Sequence, residues 1–227
     1  EIINEFVPWF QGGDIKTEEY NIIDARQSAL TPGFVDSHSH LVWSGDRSNE
    51  LSLRQNGKSY ADISKLGGGI KKTVNATREE SLKSLIDTSL RRADIAISLG
   101  TTTLEVKSGY GLNNLTEIKS LKAIDEVSKN SSCKINPTWL GAHDFPDDKL
   151  RSDYIDELIN IQLPNIVEDN LAKYVDVFCE PGWYTAEETE IIVNESKKLG
   201  LTPRLHVDEF IDSGGLKLAT ELGSVSG

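Results

Sequence analysis

Five short β-rich runs alternate with amphipathic helical stretches along most of this chain, and that alternation constrains its fold more than any other feature. The runs lie at 34–40, 101–106, 135–140, 174–179 and 202–207. They show little strict polar/apolar alternation, as expected of parallel strands covered on both faces. Between them the spacing predicts helices over 78–99, 115–128, 153–161 and 186–199. In the first, Leu82, Leu85, Ile86, Leu90, Ala93 and Ile97 share a face, and Thr77-Arg-Glu-Glu80 has capping-box form. Thr185-Ala-Glu-Glu188 repeats that signal before the last, and Pro164 is expected to bend or end the third. The fold class is therefore α/β.

The pairs Leu99-Gly100 and Leu199-Gly200 each close a helix just before a run starts, and Leu222-Gly223 repeats the pair with only four residues left. The expected architecture is an incomplete (β/α)8 barrel, about five strand-helix units plus a stub of a sixth strand over 32–227. An open doubly wound sheet is the competitor. No Gly-x-Gly-x-x-Gly or phosphate-loop pattern follows any strand to support it. Gly67-Gly68-Gly69 reads as a flexible or ligand-covering loop. Residues 1–31 are mixed, with strands expected at 2–7 and 20–24 around a Gly12-Gly13 turn, and read as the remnant of a small β domain. The chain holds no Met, does not begin as a translational start and ends on Gly-Ser-Val-Ser-Gly. A fragment is expected, and an unclosed barrel of this kind is expected to be inactive and poorly folded alone.

Charge and cysteine content narrow the function. Twenty-four Lys and Arg against 36 Asp and Glu give a net charge of −12, which disfavours a nucleic-acid partner. No apolar run is long enough to span a bilayer. The two cysteines, Cys133 and Cys179, imply no disulfide framework in a chain of 227 residues. A small-molecule function is the expectation.

The chemistry is expected at the C-terminal ends of the strands. Asp36-Ser-His38-Ser-His40 puts two imidazoles on one strand face at i and i+2, which suits a shared cation. The other two histidines of the chain, His143 and His206, also end predicted strands. A divalent metal on His38, His40 and His206 would acidify water for hydrolysis at neutral pH. Glu209 is the candidate proton acceptor, provided the strand has bent into a loop before reaching it. Arg47 is a candidate carboxylate fork or a solvated surface residue. Tyr110, on a Gly-flanked turn, is a candidate contact or a half-buried aromatic. Lys107 is a candidate anion contact, a carbamylated metal ligand or a plain ion pair, with the ion pair preferred.

Pro-Gly-Phe-Val-Asp-Ser-His-Ser-His40 resembles the first-strand signature of the metal-dependent amidohydrolase superfamily. Gly45-Asp-Arg47, Gly67-Gly-Gly-Ile70, Glu105-Val-Lys-Ser-Gly-Tyr-Gly111, Leu140-Gly-Ala-His143 and His206-Val-Asp-Glu209 together resemble the imidazolonepropionase family, from about Ala29 onward. The resemblance implies cytoplasmic histidine degradation, in which the ring of 4-imidazolone-5-propanoate is opened to N-formimidoyl-L-glutamate. It implies zinc or iron on His38, His40 and His206, with Arg47 on the substrate carboxylate. It gives Tyr110 and His143 contacts to the propionate or ring, Glu209 a ring contact and a share in proton handling, and the protein a homodimeric state. The family's eighth-strand Asp ligand and the His after its sixth strand would fall beyond Gly227. Rival readings are a related amidohydrolase, such as a deaminase or formimino deiminase, and a non-catalytic truncated α/β module.

Overall fold

A computed structural model of the chain describes residues 23–59, 62–63 and 66–227. The chain divides into two units, Glu1–Pro32 and Gly33–Gly227. In the first unit the described residues, 23–32, contain no helix or strand. The strand expected at 2–7, the Gly12-Gly13 turn and the start of the 20–24 segment lie outside the described residues.

The second unit is a run of strand-helix repeats. Its strands are β1 (Phe34–Ser39), β2 (Thr101–Lys107), β3 (Lys134–Ala142), β4 (Tyr174–Cys179) and β5 (Thr202–Val207), paired in parallel in that order. Among the described residues the helices are α1 (Asn49–Gln55), α2 (Ile70–Glu79), α3 (Leu82–Ser98), α4 (Asn114–Asn130), α5 (Arg151–Glu157), a π-turn (Leu158–Gln162), α6 (Leu163–Glu168), α7 (Ala186–Lys198) and α8 (Gly215–Glu221). A parallel sheet whose neighbours are consecutive in sequence, each joined by a helical crossover, is the build of a (β/α) barrel and not of a doubly wound sheet, whose order reverses. The structure thus contains five strands of such a barrel. At the β5 edge Val225 N–H donates to Pro203 O, and Leu205 N–H donates to Ser226 O.

The core lies between strands and helices. Leu104, Val106, Trp139, Val175, Val177 and Leu205 from the sheet meet Leu85, Ala93, Leu121, Ile124, Leu163 and Ile192 from the helices, all nearly solvent-free. Burying such side chains contributes roughly 1.5–3 kcal/mol each.

Two helix expectations need correction. The helix expected over 78–99 is two helices, because the backbone turns extended at Glu80 (ψ 145°) and α3 starts after Ser81. Ser81, not Thr77, caps α3, accepting from Ser84 N–H. The Thr77 hydroxyl instead accepts from Ser44 N–H, and Lys119 Nζ donates to the carbonyls of Thr77, Arg78 and Glu80 at 2.7–3.0 Å. A lysine reaching from α4 thus satisfies the carbonyls that end α2. The second correction concerns Pro164. The helix expected to stop near 161 passes through it, because the preceding turn widens to i→i+5 bonding, with Leu163 N–H on Leu158 O, and so absorbs the proline. By contrast, Thr185 and Glu188 form the full capping box expected for α7.

Candidate metal centre

His38 and His40 sit at the end of β1, two residues apart and on one face, with ring centres 5.4 Å apart. His206 sits at the end of β5. In a flat sheet four strand spacings would hold β1 and β5 about 19 Å apart. Yet the His38 and His206 ring centres are 4.2 Å apart. The sheet is therefore curled, and its curvature assembles the cluster. One nitrogen from each of His38, His40 and His206 lies within 4.8 Å of the others, the donor set of a metal site.

The imidazoles are suited to a cation. Burial first, then His206, lowers His38 to about 4, and burial holds His40 well below the usual histidine value. Both are neutral near pH 7, with a lone pair to donate. The Nδ1 of His40 is buried without a hydrogen-bond partner in the described structure, a cost that a bound cation or an ordered water would relieve. These observations fit a single divalent ion.

His143 joins the cluster as a neighbour. Its ring stacks on that of His40 with centres 5.1 Å apart. Burial, then His206, lowers it to about 3. Its Nδ1 lies 2.9 Å from Gly109 O, so the proton is on Nδ1 and the Nε2 lone pair is left bare. Tyr110 has its ring 5.3 Å from His143 and 5.4 Å from His40. The turn that carries it needs glycine: Gly109 has φ +104°, and a Cβ there would meet Leu140 O at 2.9 Å and His143 Nδ1 at 3.0 Å. Glu117 holds the same turn from beneath, its carboxylate accepting the N–H groups of Gly109, Gly111 and Leu112.

A pocket of about 460 Å³ opens over the histidines, lined also by Arg47, Arg54, Tyr110, Phe178 and Glu209. The guanidinium of Arg47 is held by Glu50, which accepts from Nε at 3.1 Å and from Nη2 at 2.9 Å. Glu50 in turn accepts from Gly69 N–H, and a Cβ on Gly68 would strike Glu50 Oε1 at 2.8 Å. The glycine run therefore packs against Glu50 and so steadies Arg47, a role the expectation of a flexible covering loop did not contain.

Glu209 reaches this pocket because β5 ends at Val207 and Asp208 adopts a left-handed φ of +55°. The Asp208 carboxylate makes that conformation worthwhile, accepting from Ser213, Gly215 and Leu216 N–H at the start of α8. The bend that the Glu209 reading required is present. The backbone N–H of Glu209 donates to Glu180, and its side chain is exposed.

Three residues of the site were not singled out from sequence. Asp176 on β4 accepts from His206 Nδ1 at 2.9 Å. An aspartate between two valines in a doubly covered strand was the available signal. Glu105 joins Asp176 around Lys107, whose Nζ lies 2.8 Å from Glu105 and 2.6 Å from Asp176. Lys107 is thus an ion pair, since a carbamate there would set an anion against two carboxylates. Arg54, on the last turn of α1, lines the pocket mouth and carries no local motif.

No family model matches the chain. Curated relatives do. The imidazolonepropionase of Thermoanaerobacter pseudethanolicus is 46% identical over 206 residues, covering 90% of this chain and 50% of that protein. Those of Clostridium tetani and Bacteroides fragilis are 43% and 45% identical, covering 92% and 89% of this chain and 50% of each relative. The chain spans about half the length of the curated relatives it matches. Among solved structures, 5-methylcytosine deaminase from Klebsiella pneumoniae superposes with a TM-score of 0.59 at 13% identity, over 84% of this chain and 43% of that one. Adenine deaminase from Arthrobacter aurescens gives 0.55 at 12%, over 85% and 62%. At such identities the likeness is one of fold. The sequence relatives and the incomplete barrel agree: over about nine tenths of its length the chain is similar to about half of an imidazolonepropionase.

Proposed function

We propose that this chain supplies much of the active site of an enzyme that hydrolyses 4-imidazolone-5-propanoate to N-formimidoyl-L-glutamate in histidine degradation. The observation that carries this reading is the meeting of His38, His40 and His206 in one pocket with the Arg47 guanidinium. The three histidines hold one divalent ion, zinc or iron, both of which suit imidazole donors. Such an ion, when bound, polarises a carbonyl oxygen and acidifies water toward neutrality.

The chain's own groups do the rest. Arg47, aimed by Glu50, takes the propionate carboxylate. His143 offers a bare Nε2 to a ring N–H, and Tyr110 bounds the ring beside it. Glu209 accepts a proton from the attacking water and returns it to the ring nitrogen, which leaves as the amide C–N bond breaks while the carbonyl carbon, now bonded to the water oxygen, becomes a carboxylate. Phe34 and Val35 on β1 are 63% and 67% exposed, and we assign further strands to cover them in the active form. The enzyme is read as a cytoplasmic homodimer acting on a small carboxylate-bearing heterocycle, with no nucleic-acid or membrane partner. This chain has a net charge of −12, and no described helix in it is long and apolar enough to cross a membrane.

The test is to incubate the metal-loaded gene product carrying this chain with 4-imidazolone-5-propanoate and follow its ultraviolet absorbance and products. N-formimidoyl-L-glutamate formed without ammonia is expected. Turnover of a different heterocycle with ammonia release would favour the deaminase reading. No turnover and no bound metal would leave a non-catalytic module.

A further inference from the structure

The three imidazoles need to be aimed as well as neutral. Each has two nitrogens, and the one presented to a cation is decided by what the other is bonded to. For His206 that partner is visible: Nδ1 lies 2.9 Å from Asp176 Oδ2, so Nδ1–H donates to the carboxylate and Nε2 is left for the cluster. Asp176 is itself immobilised. Lys107 Nζ sits 2.6 Å from the same Oδ2 and 2.8 Å from Glu105 Oε1, and the side chains of all three are at most 3% exposed. Glu105 is anchored in turn, since Ser39 Oγ, between the two β1 histidines, donates to its carbonyl. A network buried at Asp176, Lys107 and Glu105 and half-buried at its His206 and Ser39 ends therefore runs from β5 through β4 and β2 to β1, joining the strands that carry all three imidazoles.

Charge adds to geometry. Two carboxylates and one ammonium leave the network with one net negative charge beside the histidine cluster. Little solvent is present to screen it. A cation arriving at the cluster meets an oriented imidazole backed by an anion.

We propose that Asp176 is a positioning residue for the metal: clamped by Lys107 against Glu105, it sets the tautomer and orientation of His206 and raises the affinity of the three-histidine site. This rests on the metal-binding reading above. Outer carboxylates of this kind are worth about 10–100-fold in metal affinity.

The test uses the gene product carrying this chain, stripped of metal and titrated with cobalt(II) against a competing chelator, with the visible cobalt spectrum recorded. In parallel, the imidazole ¹⁵N–¹H spectrum of the metal-free wild type reports the His206 tautomer, with His206→Gln identifying its signal among those of the other histidines. The expected results are one cobalt ion per chain, a dissociation constant 10–100-fold weaker in Asp176→Asn with an altered cobalt spectrum, and a wild-type His206 protonated at Nδ1. Affinity within two-fold of wild type in folded Asp176→Asn, or a His206 protonated at Nε2, overturns the proposal. A merely structural Asp176 would lower the metal-free melting temperature and leave the cobalt affinity of the folded protein unchanged. If Asp176→Asn does not fold, the wild-type tautomer decides. Failure of the wild type to bind cobalt would overturn the metal-binding reading, and the metal-affinity role of Asp176 with it, while the tautomer spectrum would still show how His206 is held.

Discussion

Glu117 offers a sharp test of how the substrate-side turn is held. It is fully buried, and burial raises its carboxyl, so its charge is costly in itself. Against that cost, the carboxylate accepts the N–H groups of Gly109, Gly111 and Leu112 at 3.0, 2.6 and 3.1 Å. Removing it in Glu117→Ala strands three buried donors at about 1–3 kcal/mol each, or about 3–9 kcal/mol, against a total of about 5–15 kcal/mol for a domain. That variant is expected not to fold. Glu117→Gln is more informative. Its one carbonyl oxygen still serves Gly111 and Leu112, which share Oε1, while its amide nitrogen faces Gly109 N–H in place of Oε2. One stranded donor predicts a loss of about 1–3 kcal/mol. With a urea m-value of about 2–3 kcal/mol/M, the midpoint should fall by about 0.3–1.5 M, read by tryptophan fluorescence. The neutral side chain also removes the burial penalty, so the two effects have opposite signs. A Gln variant as stable as the wild type, or more so, would show that the charge penalty outweighs the backbone bonds and refute the account.

Three further outcomes are expected. Arg47→Lys keeps the charge but loses the two-pronged grip and the aim supplied by Glu50, so KM for 4-imidazolone-5-propanoate should rise about tenfold or more with kcat little changed; a fall confined to kcat would place Arg47 elsewhere in the cycle. Lys119→Met strands the three carbonyls that end α2, and calorimetry should record a loss of about 2–4 kcal/mol; an unchanged melting temperature would mean that water replaces the lysine. Glu188 has its carboxyl lowered by its hydrogen bond to Arg151 before any other cause, so its stabilisation is complete above the unfolded value near 4.5 and is lost as pH falls through the lower folded value. Arg151→Ala should therefore cost about 1 kcal/mol more at pH 7 than at pH 2, where the contacts of Arg151 with Trp183 O and the Phe145 ring persist, and a pH-independent difference would count against the pairing.

Much of this protein was legible along the chain because its signals are local. The strands at 174–179 and 202–207 occupy those residues in the structure, since a short, β-rich run bounded by Asn170 and Pro181 or by Gly200 and Asp208 has no room for a helix. The Thr185–Glu188 capping box needs only four residues, and it forms as read. Two histidines at i and i+2 share a face whatever surrounds them. By themselves these spacings determined the α/β class and the edge of the sheet that carries the histidines.

Other features depend on contacts between residues far apart in sequence. The Thr77 hydroxyl could cap a helix until Ser44 claimed it, and Pro164 could end one until a π-turn made room. Asp176 and Lys107 look like isolated charges in apolar strands, and become a clamp only because β2 and β4 curl toward each other. His206 lies 166 residues after His40, and no local rule brings them together. The curvature of a twisted parallel sheet does, because side chains at the C-terminal ends of its strands converge as the sheet bends toward closure. Residue spacing thus specified which donors this chain has, and the bending of the sheet decided that they meet.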